Sequence, residues 1–249
     1  MKVLIIFPHP DDETIFCGGT IARHIEAGDE VVWICAGFGE RSGRTGKRYS
    51  PFFYWIYLLM GKFTTLIFFQ KLAVWWLSIF RKRDVKLAEI RKKEALDAAG
   101  ALGISKVHFL EVEDMKFGKF KANIKEKIKE HFDLYRPDII YTFHPNGLTG
   151  HPDHAALSKS VIKAAREIYG GEQPGIYGVA MPQKISKKFK IPLLSVKDNE
   201  IKKEIVLSEE ELAKKKGVLA KYQSQNYIWE VFIEKHPEVL EREYFARLL

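Results

Sequence analysis

Residues Lys2 to Phe7 form a short, almost wholly apolar run that passes directly into Pro8-His9-Pro10-Asp11-Asp12-Glu13 and, soon after, Gly18-Gly19. A strand that meets no water on either face reads this way, and sheets buried on both faces are chiefly parallel ones covered by helices. The run therefore predicts a buried parallel strand feeding a helix. Thr20 to Glu26 keeps Ile21, Ala22 and Ile25 on a helical spacing and stops at Gly28, and Glu30 to Ala36 is a second apolar run, completing a βαβ unit. The pattern then repeats. Val85 to Leu102 predicts a helix ended by Gly103, Lys106 to Leu110 a strand, and residues from about Asn123 to Tyr135 a helix that stops before Pro137. Asp138 to Phe143 is a strand emptying into the loop His144 to Gly150, and the next helix begins near Asp153. The remainder predicts a strand near Ile176 to Met181, a Lys-rich loop and a helix opening with the capping pair Ser208 and Glu211. Such alternation calls for an α/β fold with a Rossmann-like, doubly wound, mostly parallel sheet and helices on both faces. Its ligands sit beyond the carboxyl ends of the strands.

The 249 residues fit one domain, 1–249, with an insertion over 41–84. With 46% apolar and 29% charged residues, the composition excludes wholesale disorder and a polytopic membrane protein. Cys17 and Cys35 lie among apolar neighbours and read as buried reduced thiols, and no cleavable signal can be drawn through the first residues, so a cytoplasmic setting is expected. The formal charge of +8 is carried largely by mixed Lys/Glu helices whose simplest account is a solvated face, and nucleic acid is not an expected partner.

Both charge-bearing motifs fall at strand ends. His9-Pro10-Asp11-Asp12-Glu13 places three consecutive carboxylates where a buried strand stops, which costs stability unless a cation compensates. His151-Pro152-Asp153-His154 follows the strand over residues 138–143 and supplies two more imidazoles. Two histidines with one carboxylate form a recurrent catalytic zinc set, because three protein ligands leave a tetrahedral position for water, whose pKa falls to about 7. Either motif alone could be a capped turn. Their joint occurrence in one α/β pattern points to a metal site.

The chain also resembles the LmbE-like, or PIG-L, N-acetylglucosaminyl deacetylases, which carry an Ala-His-Pro-Asp-Asp-Glu motif after the first strand. The resemblance extends to Gly18-Gly19-Thr20, Arg91-Lys92-Lys93-Glu94, Leu102-Gly103, Gly150-His151-Pro152-Asp153-His154 and Tyr222-Gln223-Ser224-Gln225. It implies an LmbE-like fold with Zn2+ held by His9, Asp12 and His154, Asp11 as general base, His151 as the group acting opposite it, and Asp153 orienting His151. Arg91 resembles the family's substrate-contacting arginine, and Asn146, in the loop before the second motif, is taken as a further substrate-binding residue. Pro8 stands where Ala is usual, and Thr149 where some members place an assisting Tyr. The implied reaction is metal-assisted hydrolysis of an N-acetylglucosamine acetamide.

The segment Pro51 to Phe80 is mostly apolar and holds Phe52, Phe53, Tyr54, Trp55, Tyr57, Trp75 and Trp76 between the basic stretches Arg41 to Arg48 and Arg81-Lys82-Arg83. Aromatic residues favour the headgroup zone and flanking bases attract anionic lipid, so the reading is a helical pair lying on a membrane surface, with a lid or a homo-oligomer interface as the alternative. The membrane reading favours a GlcNAc-inositol phospholipid as substrate and a peripheral position on the inner face of the cell membrane. Soluble GlcNAc conjugates and chito-oligosaccharides remain as alternatives, as does a non-catalytic membrane-associated binding protein. A nucleotide-binding Rossmann protein is disfavoured, because acids replace the glycine-rich turn after the first strand.

Overall fold

The computed structural model describes residues 1–42, 83–170, 174–189, 193–226, 234 and 236–249. The proposed membrane, lid or interface segment over 51–80 lies outside the described residues.

The first half alternates strand and helix: β1 (Lys2–Phe7), α1 (Asp12–Glu26), β2 (Glu30–Cys35), α2 (Val85–Leu102), β3 (Lys106–Phe109), α3 (Lys121–Tyr135), β4 (Ile139–Phe143), α4 (Pro152–Tyr169) and β5 (Gly175–Val179). These five strands are parallel and stand in the order β3-β2-β1-β4-β5. The chain leaves β1 towards β2 on one side and returns to β4 on the other, so β1 and β4 flank a topological switch point, where their carboxyl ends open a crevice. Both motifs empty into it.

Alternation along the strands divides the core into two layers. In β1, Val3, Ile5 and Phe7 pack with Ile21 of α1 and Ala95, Ala98 and Leu102 of α2. Leu4 and Ile6 face the opposite way, against Ile124, Ile128 and Phe132 of α3 and Leu157 and Val161 of α4. The continuous apolar run of β1 is explained by these two helical covers. Local signals set the helix ends: the Asp84 carboxylate accepts the Leu87 amide at the start of α2, and Gly103, at φ 90°, closes it with its own amide on the Ala99 carbonyl.

The second half departs from the sequence reading. After β5 come β6 (Met181–Pro182), α5 (Gln183–Phe189), β7 (Ser195–Val196), β8 (Ile201–Val206), α6 (Glu209–Leu219), a 3-10 turn (Gln223–Gln225), α7 (Glu238–Glu241) and β9 (Arg242–Arg247). Strands β9 and β8 extend the sheet antiparallel beyond β5, where only a loop and a helix were expected. The expected capping pair is present, with Ser208 and Glu211 exchanging hydrogen bonds at the start of α6.

The Gly18-Gly19-Thr20 motif is a docking point for this second half. A Cβ on Gly19 would stand 2.2 Å from Leu207. The amides of Gly19 and Thr20 and the Thr20 hydroxyl all donate to the buried Glu243 carboxylate, which also pairs with Lys215 Nζ at 2.7 Å.

Candidate metal centre and active site

Helix α1 begins inside the first motif, at Asp12 rather than at the expected Thr20, so that Gly18 and Gly19 lie within it. Asp11 stands at its N-cap with φ 88°, a left-handed backbone unusual for a non-glycine residue. Arg91 of α2 holds this turn: its guanidinium, 2% exposed, donates to the Pro10 carbonyl at 2.5 Å, the Asp11 carboxylate at 3.3 Å, the Ser42 hydroxyl at 2.8 Å and the Gly39 carbonyl. Arg91 is therefore a buried clamp on the Asp11 turn rather than a helix-surface charge.

His9 and His154 approach one oxygen. The Asp12 Oδ2 atom lies 3.4 Å from His9 Nδ1 and 3.5 Å from His154 Nε2. The His154 ring is fixed on both sides: it stacks on Phe143 at the end of β4 with a centroid distance of 4.2 Å, and its Nδ1 is 3.2 Å from the Thr149 hydroxyl. Thr149, which departs from the Tyr of some relatives, thus orients this imidazole. His151 caps α4, its Nδ1 accepting the Asp153 amide at 3.3 Å, with Pro152 at the first helical position. An accepting Nδ1 places the ring proton on Nε2. The Asp153 carboxylate, expected to orient His151, is 3.9 Å from that ring and 3.6 Å from His9 Nε2, and it accepts the Met115 amide at 2.6 Å.

Two residues that the sequence reading passed over complete this wall. Asp114 Oδ1 stands 3.3 Å from His9 Nε2, and Glu40 accepts the Asp114 amide. Both follow strands at the crevice, which is the one signal that could have found them. Asn146 is turned to its own loop, its Oδ1 accepting the Leu148 amide and its Nδ2 reaching the Leu194 carbonyl at 3.5 Å.

The electrostatics are those of an incompletely neutralised cluster. Burial raises the Asp11 pKa to about 7 against the pull of Arg91, with the neighbouring Asp12 adding to the rise. Burial also acts to lower that of His9, yet the carboxylates of Asp114, Asp12 and Asp153 outweigh it and the net shift is upward. His151 and His154 are pushed down to about 4, chiefly by burial. His9 Nε2, Asp114 Oδ1 and Asp153 Oδ1 are buried without a hydrogen-bond partner. Two groups of side chains, His9 with His151 and His154 and His9 with Asp114 and Asp153, bring ligand atoms within 4.8 Å of one another. Neither group includes Asp12, and each shares His9 with the expected set of His9, Asp12 and His154; imidazoles and carboxylates so crowded, with buried atoms left unpartnered, fit a divalent cation such as zinc.

Comparison with known proteins decides the family. Residues 4–165 match the PIG-L family model, described as GlcNAc-PI de-N-acetylase. The chain belongs to the PIG-L family. Curated relatives are named as deacetylases of N-acetylglucosamine conjugates, in line with the resemblance. A relative from Bacillus cereus, named as a probable N-acetyl-alpha-D-glucosaminyl L-malate deacetylase 2, is 30% identical over 187 residues, covering 72% of this chain and 67% of the relative. Other curated relatives are longer, and the chain spans as little as 51% of their length. Among solved structures, the zinc-inhibited form of the teicoplanin deacetylase Orf2 aligns with TM-score 0.63 at 16% identity over 99% of this chain and 98% of that one. GalB, a 4-carboxy-2-hydroxymuconate hydratase from Pseudomonas putida KT2440, aligns equally well, with TM-score 0.63 at 17% identity over 100% and 97% of the two chains. These likenesses establish the PIG-L fold. A hydratase on the same frame shows why function has to be argued from the site.

Proposed function

We propose that this protein is a zinc-dependent N-deacetylase that hydrolyses the acetamide of an N-acetylglucosamine conjugate. The observation that carries the proposal is the approach of His9 Nδ1 and His154 Nε2 to one oxygen of Asp12, beside a carboxylate, Asp11, held in a strained turn by Arg91. His9, Asp12 and His154 would hold the ion, which when bound supplies Lewis-acid chemistry and an acidified water. Asp11 takes the proton of the attacking water, and its upward-shifted pKa makes it a competent base near neutrality. His151 acts opposite it: with Nδ1 engaged in capping α4, its Nε2–H can donate a hydrogen bond to a developing oxyanion, and the proton that Asp11 takes from the water is the one handed on to the departing amine. Acetate and a free amino sugar leave. Arg91 serves this reading through Asp11, while Asn146 lines the loop beside the mouth.

The family description and the aromatic, base-flanked residues 51–80 support a lipid-linked substrate such as a GlcNAc-inositol phospholipid, met at an anionic membrane surface from the cytoplasmic side. The Bacillus cereus relative supports a soluble conjugate instead. Among the described residues no helix is long and apolar enough to cross a membrane. Acetate and amine release measured on a panel of soluble and lipid-linked GlcNAc conjugates, with metal analysis alongside, tests both levels. Turnover with about one zinc per chain is expected; absence of bound metal and of acetate release would defeat the proposal. Flotation with anionic liposomes, with and without residues 51–80, separates the two substrate classes: binding that survives the deletion unchanged counts against the membrane reading.

A further inference from the structure

The ligand reading leaves open why His9 should offer Nδ1 to an ion, since carboxylates face both of its ring nitrogens. Nδ1 looks towards Asp12 Oδ2 at 3.4 Å, and Nε2 towards Asp114 Oδ1 at 3.3 Å. His154 shows the same division with different chemistry, Nε2 towards Asp12 and Nδ1 at the Thr149 hydroxyl. An imidazole that binds a metal through one nitrogen carries its proton on the other, and an acceptor there fixes the tautomer and raises ligand basicity. Taking His9, Asp12 and His154 as the ligands, we infer that Asp114 is a positioning residue that accepts the His9 Nε2–H and so presents the Nδ1 lone pair to the ion.

Three connections hold Asp114 in place for this. Its Oδ2 accepts the Arg41 amide at 3.0 Å, its own amide donates to Glu40 at 3.3 Å, and the next amide, Met115, donates to Asp153. The turn is bent through two left-handed non-glycine residues, Glu111 at φ 57° and Met115 at φ 67°, a backbone that persists only where its surroundings impose it. The oxygen left over is Oδ1, 4% exposed at the residue level, without a hydrogen-bond partner and facing the equally unpartnered His9 Nε2. The two stand within hydrogen-bond distance but out of alignment, so a small rotation of either ring or carboxylate makes the bond. Asp153 is the weaker claimant, farther away at 3.6 Å with that same oxygen already taken by Met115.

Two measurements test the inference. In the zinc-loaded wild-type protein, long-range proton–nitrogen NMR of the imidazoles should show His9 protonated on Nε2 with its Nδ1 bound to the ion; a proton on Nδ1 overturns the assignment without any variant. Asp114→Asn preserves shape but turns an acceptor into an amide that can donate. Chelator competition should then show zinc affinity reduced about 10–100-fold at unchanged stoichiometry, with the thermal midpoint of the metal-free protein held near that of the wild type. Affinity within about threefold of wild type overturns the inference, as does loss of a second ion per chain, which would make Asp114 a ligand in its own right. Asp12→Ala and His154→Ala are the separate control: if zinc binding survives both, the underlying ligand reading has failed and not the role of Asp114.

Discussion

Helix α1 joins two buried charged clusters, about two helical turns apart, that differ in one respect. At Gly19 and Thr20, Glu243 accepts two amides, a hydroxyl and the Lys215 ammonium, while Lys215 also donates to the Leu240 carbonyl. That pair is sealed, with both side chains fully buried. At the start of the helix, His9, Asp114 and Asp153 are also buried, yet leave nitrogen and oxygen atoms without partners. Burial of charge is therefore not the mark of the functional site. The mark is several ionisable, ligand-capable side chains buried together with capacity left over, a cost to stability that a ligand or ion can offset. The sealed cluster should consequently govern stability and the open one activity.

The largest effect belongs to the open cluster. Asp11→Asn is expected to lower turnover by about 10²–10⁴-fold while sparing metal content, as removal of a general base does. Its stability signature should run the other way. Because the folded Asp11 pKa is raised to about 7, this carboxyl keeps its proton in the folded metal-free protein between about pH 4 and 7 where the unfolded chain has lost it, so its own contribution to stability falls as pH rises through that window, against the opposite trend of His151 and His154. The Asn variant should lack this loss, as read from denaturant midpoints across the range. A variant with full turnover would remove Asp11 from the mechanism.

Breaking the sealed cluster should do the opposite. Lys215→Met strands a fully buried carboxylate and is expected to cost about 3–5 kcal/mol in urea unfolding, with turnover per folded molecule unchanged. Adding Glu243→Gln should recover part of the loss, since the amide no longer carries a charge. A smaller cost, about 1–3 kcal/mol, is expected for Gly19→Ala, which drives a methyl into Leu207. Trimming Leu207 to Ala in the same chain should then be less damaging than in the wild type.

How legible these regions were differs for physical reasons. The parallel half could be read closely, β1 and α2 to the residue, because strands buried on both faces are unbroken apolar runs and its helices end at glycine or before proline. Strand β8 could not. It alternates half-buried Ile201, Lys203 and Ile205 with exposed Lys202, Glu204 and Val206, and Lys203 hides among its inward residues by laying its ammonium 3.8 Å over the Tyr177 ring. In the site, His9, Asp11, Asp12, His151, Asp153 and His154 stand in motifs dense enough to be seen, and the structure gathers them at one crevice. Glu40 escaped because it is a single acid in its loop and Asp114 because nothing in the sequence sets it apart from Glu111 and Glu113 beside it; both become meaningful only once β1, β2 and β3 are side by side. The role of Arg91 escaped likewise, since a helical spacing says nothing of a guanidinium that reaches into the turn before α1.

An exposed pair marks the lower end of the comparison. Glu211 receives the Arg23 guanidinium at 2.5 and 2.8 Å and the Ser208 amide at 2.6 Å, and these contacts pull its carboxyl down to about 2, Arg23 contributing most. A carboxyl whose folded pKa is depressed adds stability that is present above its unfolded value of about 4.5 and is lost as pH falls towards 2. Unlike Lys215, however, Arg23 is 42% exposed, so water and salt screen the pair. Its whole contribution should stay below about 1 kcal/mol, far less than a shift of that size would imply in a sealed site. Glu211→Gln should remove that part of the acid sensitivity and narrow the gap between low and high salt, leaving turnover untouched. A loss several times larger, equal to that of Lys215→Met, would show that exposure does not grade these clusters and that the contrast between sealed and open sites needs another basis.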